Sequence, residues 1–298
     1  MRYDIQLDQA FSACMCGDFS KGEEIVNDII NNYGWIERGI HLLLCIYSCT
    51  SQREKAISLL QRLEQESVWL NPVELENDND LDTLRDIDEF KTLQKFSWDR
   101  YSYASENVQR KIYFMGENKD AVAPIYFFHG RGAMLAEFSE DFQEIFEGRQ
   151  VYYVQSEQVY SAGRYCWDNE ELAILHIEDV LVQSNKLQKL ISGVSQGARI
   201  LVNAFAQGKI KDDMLLFIPA VSEESVSMVR NANIKYEGTL TIISGDRDAC
   251  FSASMELTEV LKGKGYNARF YAINGMGHYI LPQEIKSKLI FEGFKYNS

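Results

Sequence analysis

The sequence has no apolar run long enough to cross a bilayer and no surplus of basic residues. Its longest apolar run, His41 to Tyr47, is far short of the roughly 20 residues that a membrane-spanning helix needs. Of the 298 residues, 30 are Lys or Arg and 44 are Asp or Glu, so the net charge is −14. Because such an acidic surface repels phosphate backbones and anionic lipids, we expect neither nucleic acid nor a membrane as a partner.

Patterns typical of metal sites and of secretion are lacking as well. The six cysteines form no C-x-x-C pair, and no cluster of Cys and His has zinc-ligand spacing, so we expect reduced cysteines and no bound metal. The first residues, MRYDIQLDQAF, carry acids where a signal peptide has basic residues followed by an apolar stretch. These features predict a cytoplasmic protein.

An acid-rich stretch, residues 74–90, matches a calcium-binding loop only in part. Five acids fall at EF-hand ligand spacing, but Thr83 stands where that loop requires Gly, and Arg85 where it has an apolar residue. We favour a helix that ends the preceding helical region, with a calcium loop as the alternative.

The first hundred residues have helical periodicity throughout. Apolar residues recur at steps of three and four in LDQAFSACM, EEIVNDII and SLLQRL, and Asp18 and Ser51 are predicted N-caps. A shift of 34 residues aligns small and apolar positions, for example Val26 with Leu60. This period of paired helices resembles tetratricopeptide repeats and predicts a helical domain over residues 1–100.

Residues 105–298 have a different rhythm. Strand-like runs such as APIYFFHG, KLISGVS, LTIISGD and ARFYAI alternate with helical segments such as NEELAILHIEDVL and QGARILVNAF. Continuous apolar strands alternating with helices predict an α/β domain, with a mostly parallel sheet covered by helices on both faces. In such sheets the functional site lies at the carboxyl ends of the strands.

A candidate nucleophile occupies such a position. The run KLISGVSQGARILVNAF is a predicted strand, then G-V-S-Q-G, then a helix, which is the context of a nucleophile elbow. The elbow lifts the hydroxyl of Ser195 above the sheet, at a helix N-terminus that favours developing negative charge.

A serine hydroxyl needs a base that takes its proton and an acid that orients the base. Four histidines are present; His41 and His176 lie inside helical patterns, whereas His278 follows a late strand in the loop NGMGHYILP and is the predicted base. The strand LTIISG ends in two candidate acids. We prefer Asp248, which stands farther past the strand, over Asp246, which we expect to cap the turn.

The loop after the strand APIYFF predicts an oxyanion hole. We assign its donors to the backbone N–H groups of Arg131, in this loop, and of Gln196, directly after the nucleophile. His129 is then a structural residue of the turn. The Arg131 side chain pairs with a surface acid or, alternatively, attracts an acidic substrate.

Four motifs, HGRG, GVSQGA, GDRD and GMGH, follow one another in this order and resemble those of small bacterial carboxylesterases and acyl-protein thioesterases, relatives of the dienelactone hydrolases. The resemblance covers residues 105–298. It implies an α/β-hydrolase fold, an acyl-enzyme route, and no need for a cofactor or a metal. In YSAGRYCWDNEEL it also implies that a Trp-Asp pair borders the cleft and that Trp167 and Tyr160 line the substrate pocket, with a place in the core as the alternative for each.

We therefore predict a serine hydrolase of small, soluble carboxylic esters. A thioesterase or a peptidase with the same residues is an alternative. Another alternative is a non-catalytic interaction protein whose helical repeats bind a protein partner. The short connection between the strands MLLFIPA and LTIISG leaves little chain for a lipase-type lid, which favours short acyl groups.

Overall fold

A computed structural model of the chain describes residues 2–116, 123–134, 141–183 and 189–292. The chain forms two compact units, one of Met1–Val108 with Val159–Arg164 and one of Gln109–Gln158 with Tyr165–Ser298. Within the described ranges, no helix combines the length and the apolar character that crossing a membrane requires.

The first unit is built from helices. They are α1 (Arg2–Met15), α2 (Phe19–Tyr33), α3 (Glu37–Cys49), α4 (Arg53–Gln65), α5 (Pro72–Asn77), a 3-10 helix (Asn79–Leu84) and α6 (Asp88–Asn107). Helix α1 packs on α2, and α2 packs on α3. Apolar residues of α2, α3 and α4 share a core that includes Val26, Ile40, Leu60 and Leu63. The tetratricopeptide-like assignment of these helices stays a prediction.

The two predicted N-caps have different outcomes. Asp18 caps α2, since its carboxylate accepts the backbone N–H of Lys21 at 3.1 Å, and that prediction is confirmed. The prediction for Ser51 is wrong because this residue ends α3 instead of starting α4. Ser51 has a φ of 57°, and the N–H of Gln52 returns to the carbonyl of Tyr47 at 2.8 Å, as in a Schellman motif.

The acid-rich stretch folds as the end of α5, the 3-10 helix and the start of α6. Its acids have separate partners: Asp82 pairs with Arg85 at 2.8 Å, and Asp86 pairs with Arg53 at 2.9 Å. Within the described ranges these carboxylates do not gather around one point, as calcium ligands do.

A hairpin of β4 (Gln158–Ser161) and β5 (Arg164–Cys166) supplies residues 159–164 to the helical unit. The sequence predicts these residues in the second domain, whereas their contacts group them with the helices. Glu37 is buried and accepts hydrogen bonds from the backbone N–H of Asn71, at 2.8 Å, and from the hydroxyl of Ser161. Burial raises the pKa of Glu37 to about 7. This carboxyl therefore joins the hairpin to the helices.

In the second unit, the described residues form a seven-stranded sheet. The strands are β1 (Lys111–Met115), β2 (Ile125–Phe128), β3 (Val151–Gln155), β6 (Leu190–Val194), β7 (Asp213–Phe217), β8 (Thr239–Gly245) and β9 (Asn267–Ile273). Their order is β1-β3-β2-β6-β7-β8-β9, with β1 antiparallel to β3 and every other pair parallel. The helices are α7 (141–145), α8 (Glu170–Gln183), α9 (Gln196–Ala206), α10 (Glu223–Asn231), α11 (Phe251–Gly263) and α12 (Pro282–Phe291).

Both faces of the sheet are buried, as the continuous apolar strands predict. Neighbouring strand residues point to opposite faces: Leu216 joins the core that contains residues of α8, α9 and α11, and Leu215 joins the core with α7 and α12. The predicted mostly parallel sheet with helices on both faces is confirmed.

The strand order reverses direction between β2 and β6. The chain leaves β2 for β3 on one side and returns to β6 on the other, while β2 and β6 themselves pair in parallel, Phe128 opposite Gly193. The loops that follow these two strands therefore open at the same edge of the sheet. Such a switch point forms the crevice in which open α/β sheets bind ligands.

Candidate active site

Ser195 lies in the sharp turn between β6 and α9. Its φ of 51° and ψ of −116° are unfavourable for a side chain-bearing residue, and such strain costs about 1–3 kcal/mol. The turn requires glycine on both sides. A Cβ at Gly197 would lie 2.4 Å from the carbonyl oxygen of Phe128, and one at Gly193 would lie 2.9 Å from Leu201 Cδ1. The strand, turn and helix of a nucleophile elbow are all present.

The Ser195 hydroxyl faces the imidazole of His278. The distance from Oγ to Nε2 is 2.8 Å, which is within the range of a hydrogen bond. His278 lies in the loop after β9, and β6 and β9 both end at the carboxyl edge of the sheet. Two side chains 83 positions apart therefore stand within reach of proton transfer.

The other ring nitrogen of His278 contacts Asp248. Nδ1 lies 3.1 Å and 3.0 Å from the two carboxylate oxygens, and the Asp248 side chain has no exposed surface. Oδ1 of Asp248 also accepts the backbone N–H of Cys250 at 2.8 Å, which orients the carboxylate.

Asp246, the alternative acid, has a different partner. Its Oδ1 accepts the backbone N–H of Gly275 at 2.7 Å and so holds the loop that follows β9. A close approach at Gly245 brings this loop against β8, since a Cβ there would lie 1.9 Å from the carbonyl oxygen of Met276. The structure thus brings Asp248, and not Asp246, to the imidazole.

The loop after β2 reaches the same edge. Phe128 ends β2, and an antiparallel bridge between Ala133 and Tyr165 holds the far end of the loop, with N···O distances of 3.1 Å and 3.3 Å. Gln196 is the first residue of α9, so its N–H belongs to the amides that find no acceptor within the helix. Amides at such a position favour developing negative charge.

The side chains of the two predicted donors share one carboxylate. Asp168 accepts Nε and Nη2 of Arg131 at 3.0 Å and 3.1 Å, and it accepts Nε2 of Gln196 at 2.6 Å. Burial alone raises the pKa of Asp168, but the hydrogen bonds and charge of Arg131 outweigh burial and leave the pKa below its ordinary value. This network ties the loop after β2 to the start of α9. Of the two roles considered for the Arg131 side chain, the structure has the pairing with an acid.

The buried side chains of His129 and Trp167 hold the loop after β2 in place. Nε2 of His129 accepts the N–H of Ser156 at 3.1 Å, so the ring proton is on Nδ1, which donates to the carbonyl of Gly130 at 2.7 Å. Burial lowers the pKa of His129 to about 4 and keeps the ring neutral. The indole of Trp167 stacks on this ring, with centroids 4.9 Å apart, and Nε1 donates to the His129 carbonyl at 2.9 Å.

No family model and no curated protein sequence matches this chain. Among solved structures, esterase PE8 is similar over 62% of this chain and 99% of its own, with a TM-score of 0.52 and 16% sequence identity. The second unit has the α/β-hydrolase fold. An uncharacterized Bacillus cereus protein is similar over 99% of this chain and 98% of its own, with a TM-score of 0.49 and 17% identity. A Bacillus cereus carboxylesterase covers 65% of this chain and 98% of its own, with a TM-score of 0.49 and 17% identity.

The predicted residues of the α/β-hydrolase unit have unequal outcomes. Ser195, His278 and Asp248 lie at hydrogen-bond distances from one another along the chain of contacts, and the loop that carries Arg131 is linked through Asp168 to Gln196, the residue after Ser195. Trp167 is buried against the loop that follows β2, with 1% of its surface exposed. Tyr160 is not part of this unit: it belongs to the helical unit, where its hydroxyl donates to Glu74 at 2.6 Å. The sequence does not predict the hydrogen bonds from Arg131 and Gln196 to Asp168. The resemblance of the pair Trp167-Asp168 to a pair that borders the substrate cleft is the one sequence feature that points to this residue.

Proposed function

We propose that this protein is a serine hydrolase that cleaves carboxylic esters of small, soluble substrates through an acyl-enzyme intermediate. The observation that carries the proposal is the chain of contacts from Ser195 Oγ to His278 Nε2, at 2.8 Å, and from His278 Nδ1 to the Asp248 carboxylate, at 3.0 Å. Nucleophile, base and orienting acid in this geometry are the parts that ester cleavage requires. The name of esterase PE8, which has the same fold, agrees with this chemistry.

The proposed reaction begins when Ser195 Oγ attacks the ester carbonyl carbon and passes its proton to His278 Nε2. The Asp248 carboxylate stabilises the imidazolium, and the N–H groups of Arg131 and Gln196 hold the oxyanion. The tetrahedral intermediate then collapses. The alcohol leaves with the proton from His278, and the acyl group stays on Ser195.

Deacylation repeats these steps with water as the nucleophile. His278 takes a proton from the water as it attacks the acyl carbon, a second oxyanion forms in the same place, and the proton returns to Ser195 Oγ as the carboxylic acid leaves. No oxidant, reductant or external base is consumed. A thioester or a peptide would enter the same sequence with a thiol or an amine as the leaving group.

The ester assignment is tested with purified protein and p-nitrophenyl esters of increasing chain length, alongside an acyl thioester and a peptide amide. We expect acetate and butyrate esters to be hydrolysed with a higher kcat/KM than the octanoate ester. The reason is that β7 and β8 are connected by residues 218–238, which include α10. This connection leaves little chain for a lipase-type lid that would cover a long acyl group. A clear preference for the thioester or the peptide would replace the ester assignment. Binding of a protein by the helices without any turnover would favour an interaction protein.

Asp168 is expected to be a positioning residue of the proposed oxyanion hole. Asp168→Asn removes the charge that holds Arg131 and weakens the link to Gln196, so we expect kcat/KM to fall about tenfold, which corresponds to ~1.4 kcal/mol. The loss should appear in kcat with little change in KM, because the hole acts on the transition state.

Asp179→Asn is the matched control for this substitution. Asp179 lies in the same unit, pairs with Arg110 at 2.5 Å and is 57% exposed, so it undergoes the same change of charge away from the elbow. Equal losses in the two variants would contradict the positioning role of Asp168.

A further inference from the structure

Helix α3 of the helical unit presents two side chains with metal-binding capacity on one face. His41 and Cys45 are four residues apart, so they lie one above the other along the helix. Asp78, at the start of the 3-10 helix, faces both of them. Its Oδ2 lies 2.6 Å from His41 Nε2 and 3.6 Å from Cys45 Sγ, and the three ligand atoms all lie within 4.8 Å of one another.

We propose that His41, Cys45 and Asp78 form a binding site for a divalent transition-metal ion, Zn²⁺ in the first place. The spacing of the ligand atoms supports the proposal. Zinc bonds of 2.0–2.3 Å place tetrahedral ligand atoms about 3.3–3.6 Å apart. The distance from Cys45 to Asp78 already fits, and the distance from His41 to Asp78 has to widen by about 0.7 Å.

The donor set selects the kind of metal. A thiolate with an imidazole suits Zn²⁺ and Co²⁺, whereas Ca²⁺ and Mg²⁺ prefer six or more oxygen ligands or several waters. The calcium alternative considered from the sequence shares Asp78 but uses other acids, and those acids have separate partners. Spacing rules based on Cys and His alone did not find this site, because its third ligand is an acid 33 residues beyond Cys45.

The surroundings hold the ligands in place and leave a path for the ion. Asp78 Oδ1 accepts the N–H of Asp80 at 2.9 Å, which fixes the carboxylate and leaves Oδ2 for the site. Cys45 is buried in the helical core, while the side chains of His41 and Asp78 are 18% and 30% exposed. The ion therefore reaches the site from the solvent side, and water supplies the fourth ligand.

Binding exchanges protons for the metal. The ion replaces the proton of the Cys45 thiol and the proton held between His41 Nε2 and Asp78 Oδ2, and both protons are released to solvent. His41 then coordinates through the Nε2 lone pair and keeps its ring proton on Nδ1. Without metal, the same three groups form a hydrogen bond between His41 and Asp78 and a thiol hydrogen bond from Cys45 to Asp78, which link α3 to the start of the 3-10 helix. That is the competing, purely structural role.

The test uses the full-length protein, stripped of metal with a chelator and titrated with Co²⁺ and then Zn²⁺. We expect one Co²⁺ per chain, with a thiolate-to-cobalt charge-transfer band in the near ultraviolet that Zn²⁺ abolishes. Cys45→Ser should remove the band. Cys16→Ser, a matched change at an exposed cysteine of the same unit, should leave it unchanged.

Asp78→Asn is a second test variant, which we expect to fold even if Cys45→Ser does not. Asn caps helices as well as Asp does, so the contact with Asp80 persists while the charged ligand is lost. We expect Zn²⁺ to raise the Tm of the wild type more than that of this variant, and affinity to fall at least about tenfold. No equimolar Co²⁺ binding, or the same band in Cys45→Ser, would overturn the proposal and leave the structural role.

Discussion

Ser195→Ala is expected to abolish ester hydrolysis, with kcat falling by about 10⁴- to 10⁶-fold. The substitution removes the only atom of the site that can form the acyl-enzyme bond in the proposed reaction. Because Ala leaves His278 and Asp248 in place, the residual rate reports on transition-state binding without covalent catalysis. The same variant should lose covalent labelling by a fluorophosphonate, which reacts with activated serines and needs no knowledge of the substrate.

The expected loss is separated from unfolding by the geometry of the elbow. Ala is no more strained than Ser at a φ of 51°, so the fold should be retained and the thermal midpoint should change little. Ser252→Ala, at an exposed position of α11, is the matched control and should keep both labelling and turnover. Turnover that survives in Ser195→Ala would mean that another nucleophile or a different site carries the activity.

Much of the α/β-hydrolase unit could be predicted because its signals are local. Strand, tight turn and helix around Ser195 are contiguous in the chain, and the two glycines there are required by contacts of less than 3 Å. Parallel strands place their carboxyl ends at one edge, so the residues after β6, β8 and β9 had to lie near one another. Position past the strand also favoured Asp248 over Asp246.

Contacts between distant segments could not be predicted in the same way. The carboxylate that joins Arg131 to Gln196 comes from Asp168, which is 37 residues from the first and 28 from the second. A pair of this kind has no periodicity and no spacing rule. Asp168 lies beside Arg131 because the bridge between Ala133 and Tyr165 holds their two segments together, and this bridge is known only from the structure.

The place of the hairpin residues 159–164 in the helical unit could not be predicted either, because it also depends on contacts between distant segments. Residues 159–164 follow β3 in the chain, and nothing in their composition separates them from the sheet. They group with the helices because Ser161 and Tyr160 have hydrogen-bond partners there, in Glu37 and Glu74. A family resemblance that assigned Tyr160 to a substrate pocket could not take account of acids in a domain that lies outside the resemblance.

Ser51 illustrates a local signal that has two meanings. A serine before a helical pattern is a good N-cap, but the end of one helix and the start of the next are only a few residues apart here. Ser51 adopts the left-handed conformation that follows the end of α3. Gln52 is therefore the N-cap residue of α4, and its side chain makes no capping hydrogen bond. The Schellman hydrogen bonds decide between the two uses, and they depend on where α3 ends.

The acid of the proposed triad gives the second large expected effect. Asp248→Asn should lower kcat by about 10⁴-fold while leaving the fold intact. The new amide oxygen can still accept the N–H of Cys250, which points the amide NH₂ toward His278 Nδ1. Nδ1 must then accept a hydrogen bond, so the ring proton moves to Nε2, and the imidazole can no longer take the proton of Ser195.

Asp246→Asn is the matched comparison, since it makes the same chemical change two residues away. The new amide oxygen can still accept the N–H of Gly275, so the loop that carries His278 should stay in place and kcat should change less than about threefold. The measurement is kcat for a short-chain p-nitrophenyl ester in both variants, with circular dichroism as the check on folding. A large loss in Asp246→Asn together with near-normal turnover in Asp248→Asn would assign the acid to Asp246. That result would contradict the contact between Asp248 and His278 on which the proposed mechanism rests.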